Sequence, residues 1–159
     1  MRQKTEVEIP NIPKKKVGAA ALFIKKEQGH DKILLVLSEG KDYWTLPGGV
    51  VEDRESPEDG CIREVKKEVG LAIKNPPFLG VGYQSRDTED SLHFIFFGGF
   101  LDDKQVKRIK LQPGEILEYK LATLPESKKL VPDRLYQRLS KCMTVLDNDK
   151  AFYMEYWEE

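Results

Sequence analysis

The chain has little of what most often announces a site. Across 159 residues it carries two cysteines and two histidines. Cys61 and Cys142 are too few for a disulfide framework, and no bridge between them is expected in a chain read as intracellular. His30 falls in a turn, where a histidine is ordinarily solvated. His93 falls in an alternating stretch, where contact with a substrate is the minority reading. No apolar run approaches membrane-spanning length, and the opening MRQKTEVEIPNIPKKK has no apolar region of the signal-peptide kind. No membrane partner is therefore expected, and the cytoplasm is the expected location. An excess of charge of one sign is lacking too: 26 basic residues face 27 acidic ones, for a net charge of −1. Binding along long nucleic acid needs a concentrated basic face, so no long nucleic acid is expected as a partner; a small phosphorylated ligand is compatible. No internal repeat or low-complexity segment is present.

What is there reads as one soluble domain over residues 1–159, with 40% hydrophobic and 33% charged residues. Residues 1–15 form a polar, proline-punctuated arm expected to be flexible. Lys14, Lys15 and Lys16 read as a solvated charge run before they read as a phosphate contact. Residues 147–159 form an aromatic tail, AFYMEYWEE at its end, with too much apolar surface to stay in water. It is expected to pack on the domain or on a second copy, so a homodimer stays open; stacking of Tyr156 or Trp157 on a ligand base is the lesser alternative.

Between arm and tail, Val17 to Ile24 is apolar throughout and reads as a buried strand against which something packs closely. Gln28-Gly29-His30-Asp31 is a hairpin turn, with Ile33 to Leu37 as the return strand and Trp44 to Leu46 as a short one. Phe78 to Gln84 and Leu92 to Leu101 read as strands joined by a hairpin across Ser85 to Asp90. The second of these carries four phenylalanines, core by default, with one left to face a base. Lys104 to Lys110 reads as a basic loop, Gln112-Pro113-Gly114 as a turn, and Glu115 to Leu121 as a strand. A helical region opens at Leu124, and Pro132 to Leu146 places Leu135, Leu139, Met143 and Leu146 on one stripe.

The stretch around which the rest is arranged is GVVEDRESPEDGCIREVKKEVGL, Gly49 to Leu71. Ser56 is an N-cap, Pro57 suits the first helical position, Asp59 completes a capping pattern and Gly70 supplies a left-handed stop. These signals predict a helix over Pro57 to Val69. At about 100° per residue, Cys61, Ile62, Val65 and Val69 form a buried stripe, and Glu64 and Glu68 lie one turn apart on its rim. Two like charges at that spacing repel each other; a cation between them reverses the sign, and oxygen ligands suit Mg²⁺.

This stretch resembles the signature of the MutT-like Nudix hydrolases, G-x5-E-x7-R-E-U-x-E-E-x-G-U, where U is a bulky aliphatic residue. Gly49, Glu55, Arg63, Glu64, Val65, Glu68, Gly70 and Leu71 stand at the required offsets, eight of the nine specified places. The ninth departs: Lys67 stands where the family has the first glutamate of its E-E pair. The resemblance implies an α/β fold, the Nudix-type α/β/α sandwich with a mixed β-sheet, with Gly48 and Gly49 letting the chain turn tightly before the helix. It implies a hydrolase that uses Mg²⁺, with Mn²⁺ as a substitute, to cleave the pyrophosphate bond of a small-molecule nucleotide: a nucleoside triphosphate, a dinucleotide or a nucleotide sugar. Glu64, Glu68 and the Gly48 carbonyl are the implied metal ligands. Glu64, Glu55 and Arg63 are the implied catalytic residues, Arg63 pairing with Glu55; the general base is Glu64 or, alternatively, Glu55. Gly49 is assigned to substrate, with Lys67 and Glu115 as further candidates and Glu118 beside Glu115 as a spare acidic ligand. Lys67 also motivates the alternative, a nucleotide-binding module that kept the fold without turnover.

Overall fold

Strand β1 (Lys16–Glu27) is buried on both faces, and its two edges organise everything else. The computed structural model in which it is seen describes residues 11–158. One edge of β1 pairs in parallel with β6 (Asp90–Phe100) from Lys16 to Ile24. The other edge is shared. Gly18 to Ala20 pair antiparallel with β4 (Gly48–Val50), and Ile24 to Glu27 pair antiparallel with β2 (His30–Ser38). The β1–β2 turn has Gln28 and Gly29 both at positive φ, 52° and 76°, as a two-residue hairpin turn requires. Strands β3 (Trp44–Thr45) and β7 (Ile116–Thr123) pair with β2. Strand β5 (Phe78–Ser85) pairs antiparallel with β6. Among the described residues the sheet has eight strands in the order β3-β2-β1-β6-β5-β8, the last being Phe152–Trp157, with β4 on β1 and β7 on β2.

Alternation along the central strands feeds two cores. Ala19, Ala21 and Phe23 of β1 and Leu34 and Val36 of β2 pack with Cys61, Val65 and Val69 of helix α1 (Pro57–Val69). Leu22, Ile24, Ile33 and Leu35 point the other way and pack with Leu135, Leu139, Cys142 and Val145 of helix α4 (Asp133–Asn148). The result is an α/β/α sandwich around a mixed sheet, as expected. Among the described residues two short helices, α2 (Asp103–Lys107) and α3 (Leu124–Ser127), complete the set.

Several expectations are corrected. The basic loop over Lys104 to Lys110 begins as helix: Asp102 and Gln105 close a capping box that holds α2. Glu115 lies in the turn before β7, because β7 starts only at Ile116. Glycines 48 and 49 are strand residues without positive φ, and their role is close approach rather than a tight turn: a Cβ at Gly48 would stand 2.3 Å from the Ala19 carbonyl oxygen. The buried arc of α4 is rotated from the expected stripe. Arg138, Cys142 and Val145 are buried, whereas Met143 and Leu146 only flank the core. On α1 the stripe is likewise turned, Glu68 being buried and Ile62 only half-buried.

Of the arm, residues 1–10 lie outside the described residues, and residues 11–15 are exposed. Its lysines are not simply solvated: Lys15 is ion-paired with Asp90 and Lys16 with Glu89. The aromatic end of the tail is strand β8 (Phe152–Trp157), paired in parallel with β5 from Gly80 to Ser85. A Cβ at Gly80 would stand 2.2 Å from a Phe152 ring carbon, so that glycine exists to receive the ring. Both cysteines are free and buried. Among the described residues no helix is long and apolar enough to cross a membrane.

Candidate active site

Helix α1 begins as its sequence dictates. The Asp59 amide donates to Ser56 Oγ at 3.1 Å, Pro57 occupies the first turn, and Gly70 ends the helix at φ 74°. This fixes Arg63, Glu64 and Glu68 against strand β4. Glu68 is only 6% exposed, and its Oε1 accepts the Gly48 amide at 2.8 Å. Burial pushes its carboxyl up to about 7; the Gly48 amide pulls it down, and the neighbouring Glu64 charge adds to the rise. Glu64 lies across Gly49: a Cβ there would stand 2.7 Å from the Glu64 carboxyl carbon. The missing side chain at Gly49 is therefore room for a carboxylate.

Arg63 fastens this pair to the loop. Its Nε and Nη2 donate to the two oxygens of Glu55 at 2.8 and 2.9 Å, a forked pair, and Nη2 also donates to the Val50 carbonyl at 3.1 Å. Its Nη1 donates to Glu64. The Arg63 guanidinium first, and the Glu52 amide second, hold the Glu55 carboxyl down at about 2. A carboxylate so held is a poor proton acceptor near neutrality and a good anchor.

The donor set suits a hard cation. It consists of carboxylate oxygens, and the buried Glu68 has no ion-pair partner among the described residues. Among those residues no group of three His, Cys, Asp or Glu side chains forms a metal cage. Mg²⁺ is commonly held by one or two carboxylates, with water and substrate phosphate completing its shell, so two carboxylates are a sufficient protein share.

Lys67 and Glu115 meet each other, Nζ to Oε2 at 3.8 Å, both about half-exposed. Glu118 is exposed on β7, opposite Leu37. His30 is exposed at the start of β2. His93 is partly buried on β6, with Nε2 2.9 Å from Ser91 Oγ. Trp157 packs on Tyr83, ring centroids 5.5 Å apart.

Gly48 and Gly49 open onto a cleft of about 280 Å³ that also reaches His93 and Phe94. Of the residues assigned from the sequence only Gly48 and Gly49 line it; Glu55, Arg63, Glu64, Glu68, Lys67 and Glu115 do not, nor do Tyr156 and Trp157. Among the described residues its cations are Lys16, Lys41, Arg86, Arg134 and Arg138, against Glu89 as the only lining acid. Tyr43 sits in its wall with Lys41 Nζ 5.6 Å and Arg134 Cζ 5.8 Å from the ring centroid. Reasoning from the sequence named Lys16 only as a lesser phosphate contact and missed the other four, which are scattered from Lys41 to Arg138 and vanish in a balanced net charge. One signal was available: Arg138 falls inside the apolar arc of α4, where a charge is out of place.

A family model described as the NUDIX domain matches residues 14–143. A putative 8-oxo-dGTP diphosphatase of Bacillus subtilis is 30% identical over 123 residues, 73% of this chain and 77% of that protein. Diphosphoinositol polyphosphate phosphohydrolase 3-alpha of Mus musculus is 36% identical over 72 residues, and the match spans only 44% of its length. The crystal structure of a UDP-X diphosphatase superposes with a TM-score of 0.71 at 21% identity, over 91% of this chain and 68% of that one.

Proposed function

The chain belongs to the NUDIX domain family, and from that premise we propose that it is a Mg²⁺-dependent hydrolase that cleaves the pyrophosphate bond of a nucleoside diphosphate linked to a further group. The observation that carries this reading is the buried Glu68 carboxylate beside Glu64, without an ion-pair partner among the described residues and next to a cleft rich in cations. Glu64 and Glu68 would hold the ion, with the Gly48 carbonyl as a further oxygen. Bound there, Mg²⁺ supplies neutralisation of phosphate charge and activation of a water. The residues of the chain do the rest. Arg63 holds Glu64 in place, and Glu55 holds Arg63. Its low carboxyl makes Glu55 a positioning residue, and the general base is assigned to Glu64, which Arg63 also holds. Gly49 gives the substrate and Glu64 room to meet, and the cations of the cleft draw in the phosphate chain.

The similar proteins have names that span an 8-oxo-dGTP diphosphatase, a diphosphoinositol polyphosphate phosphohydrolase and a UDP-X diphosphatase. The two curated relatives among them support phosphate-linked small molecules as the substrate class; on this reading neither long nucleic acid nor a membrane is expected as a partner. The reading carries a cytoplasmic setting, which two free buried cysteines suit. Mn²⁺ is expected to substitute.

The test is a panel of nucleoside triphosphates, dinucleotides and nucleotide sugars, assayed with Mg²⁺ and with Mn²⁺ and scored by which bond breaks. Glu68→Gln is expected to lose at least about a hundredfold in turnover; equal rates for parent and variant would end the metal role of Glu68. The second reading, binding without turnover, has one observation in its favour: the cation at Lys67 engages Glu115 and so occupies two places where a carboxylate could have served. Saturable nucleotide binding with no bond broken anywhere in the panel would decide for it.

A further inference from the structure

Helix α4 carries a charge in the middle of its buried face. Arg138 is 8% exposed and sits between Cys142 and Val145 on the arc that meets the sheet. Its partners are modest. Nε donates to the Arg134 carbonyl at 3.2 Å and Nη2 to Gln84 Oε1 at 3.4 Å. Among the described residues neither Arg138 nor Arg134 forms an ion pair. The sheet is nevertheless shaped around this side chain. A Cβ at Gly82 of β5 would stand 2.8 Å from Arg138 Cδ, and Gly82 has no positive φ to explain its being glycine.

Burying a cation without a counter-charge is unfavourable, so its natural complement is an anion from outside. The opening for one exists, because Arg138 and Arg134 both line the cleft. Of the other cations of the cleft, Lys16 is engaged by Glu89 at 3.6 Å and Arg86 by Glu158 at 2.8 Å, while Lys41 lies over the Tyr43 ring, 5.6 Å from its centroid. Helix α4 also reaches the cleft with its first turn, where the N-cap Pro132 offers no side-chain acceptor to the leading amides. Burial first, then Arg134, pulls the Arg138 guanidinium down to about 10, which leaves it charged at neutral pH. His93 faces the same groups and is pushed down to about 3, by burial first and then by Arg138, Lys16, Arg134 and Arg86. A neutral imidazole adds no charge of its own and marks the field of the others.

We propose that Arg138 and Arg134 form a phosphate subsite on the α4 side of the cleft, apart from the carboxylates of α1, so that the substrate carries a phosphate group beyond the diphosphate that is cleaved. A guanidinium fork matches the paired oxygens of a phosphate, whereas an uncharged base or sugar at the same place would leave Arg138 without its complement. The subsite stands on the geometry; that its occupant is a substrate rests on the hydrolase reading.

The experiment follows the melting temperature of the full chain in EDTA as inorganic phosphate is added, with ionic strength held constant by chloride. The parent is expected to rise saturably with phosphate. Arg138→Met is expected to weaken the apparent phosphate affinity by roughly tenfold or more. In chloride alone it should melt no lower than the parent, because an unpaired buried cation gives way to an apolar side chain of similar reach. Arg134→Gln, at a half-buried position, shifts the response in the same direction, and Glu68→Gln keeps it whole. Equal melting of the parent in phosphate and chloride overturns the subsite, as does a full response in both arginine variants. Should Arg138→Met fail to fold, Arg134→Gln decides alone, and a full response there overturns the subsite. A parent without phosphate response that still turns over the panel removes the subsite and leaves the hydrolase; a response kept by Glu68→Gln in a protein that cleaves nothing does the reverse.

Discussion

At the scale of single residues, burial holds the Glu68 carboxyl near 7, so around neutrality the residue is divided between two forms. Its folded value lies above the unfolded value of about 4.5. The stability it contributes is therefore complete below about 4.5 and is lost as pH rises through about 7, by no more than about 3 kcal/mol. Without metal, Glu68→Gln should melt above the parent at pH 8 and level with it at pH 5. Equal melting curves at pH 8 would mean that Glu68 is not strained by its charge. A divalent ion must displace that proton, so half-saturating Mg²⁺ should rise about tenfold per pH unit below about 7, readable by calorimetry. Lys67 presents the opposite case. Its contact with Glu115 is long and half-exposed, and such pairs contribute under about 1 kcal/mol. Lys67→Glu should leave the melting temperature nearly unchanged while lowering the Mg²⁺ concentration at half activity. A metal curve superposable on the parent's would place Lys67 outside the surroundings of the ion.

At the scale of elements, the contact between β4 and α1 separates two kinds of glycine. At Gly48 a methyl group would meet backbone of β1 at 2.3 and 2.6 Å, and backbone cannot step aside. Gly48→Ala should cost about 1–3 kcal/mol in urea unfolding and remove turnover with it. At Gly49 the obstacle is the Glu64 side chain at 2.7 Å, which can rotate away. Gly49→Ala should unfold near the parent's midpoint yet bind Mg²⁺ more weakly, because the carboxylate that moves is a proposed ligand. If both variants lose stability alike, Glu64 is as fixed as the backbone. The same elements show what a sequence makes legible. The bounds of α1 could be read because Ser56, Pro57, Asp59 and Gly70 act within a turn of where they stand. The capping box of α2, Asp102 with Gln105, was equally local, and the run of basic residues after it drew the reading toward a loop. The rotation of α4 was not local. Which arc it buries depends on Gly82 and Gln84 of β5, more than fifty positions earlier, and on the room they leave for Arg138.

At the scale of the whole molecule, the tail closes the sheet. Phe152 of β8 reaches over Gly80 into the core beneath α4, and Phe152→Ala should lower stability by about 2–3 kcal/mol in urea unfolding. An unmoved midpoint would make β8 an ornament of the edge. Its aromatic richness could be read, but its partner could not, since a parallel pairing with β5 joins segments some seventy residues apart. Distance in sequence also divides the candidate site. The carboxylates come from one helix and the loop before it, whereas the cations come from β1, the loop after β2, the β5–β6 hairpin and α4. Descendants of this gene can therefore exchange Lys41, Arg86 or Arg134 one at a time, as the ligand at hand changes, while α1 stays as it is. Selection can revise what such a cleft accepts and leave the proposed metal-holding carboxylates as they are.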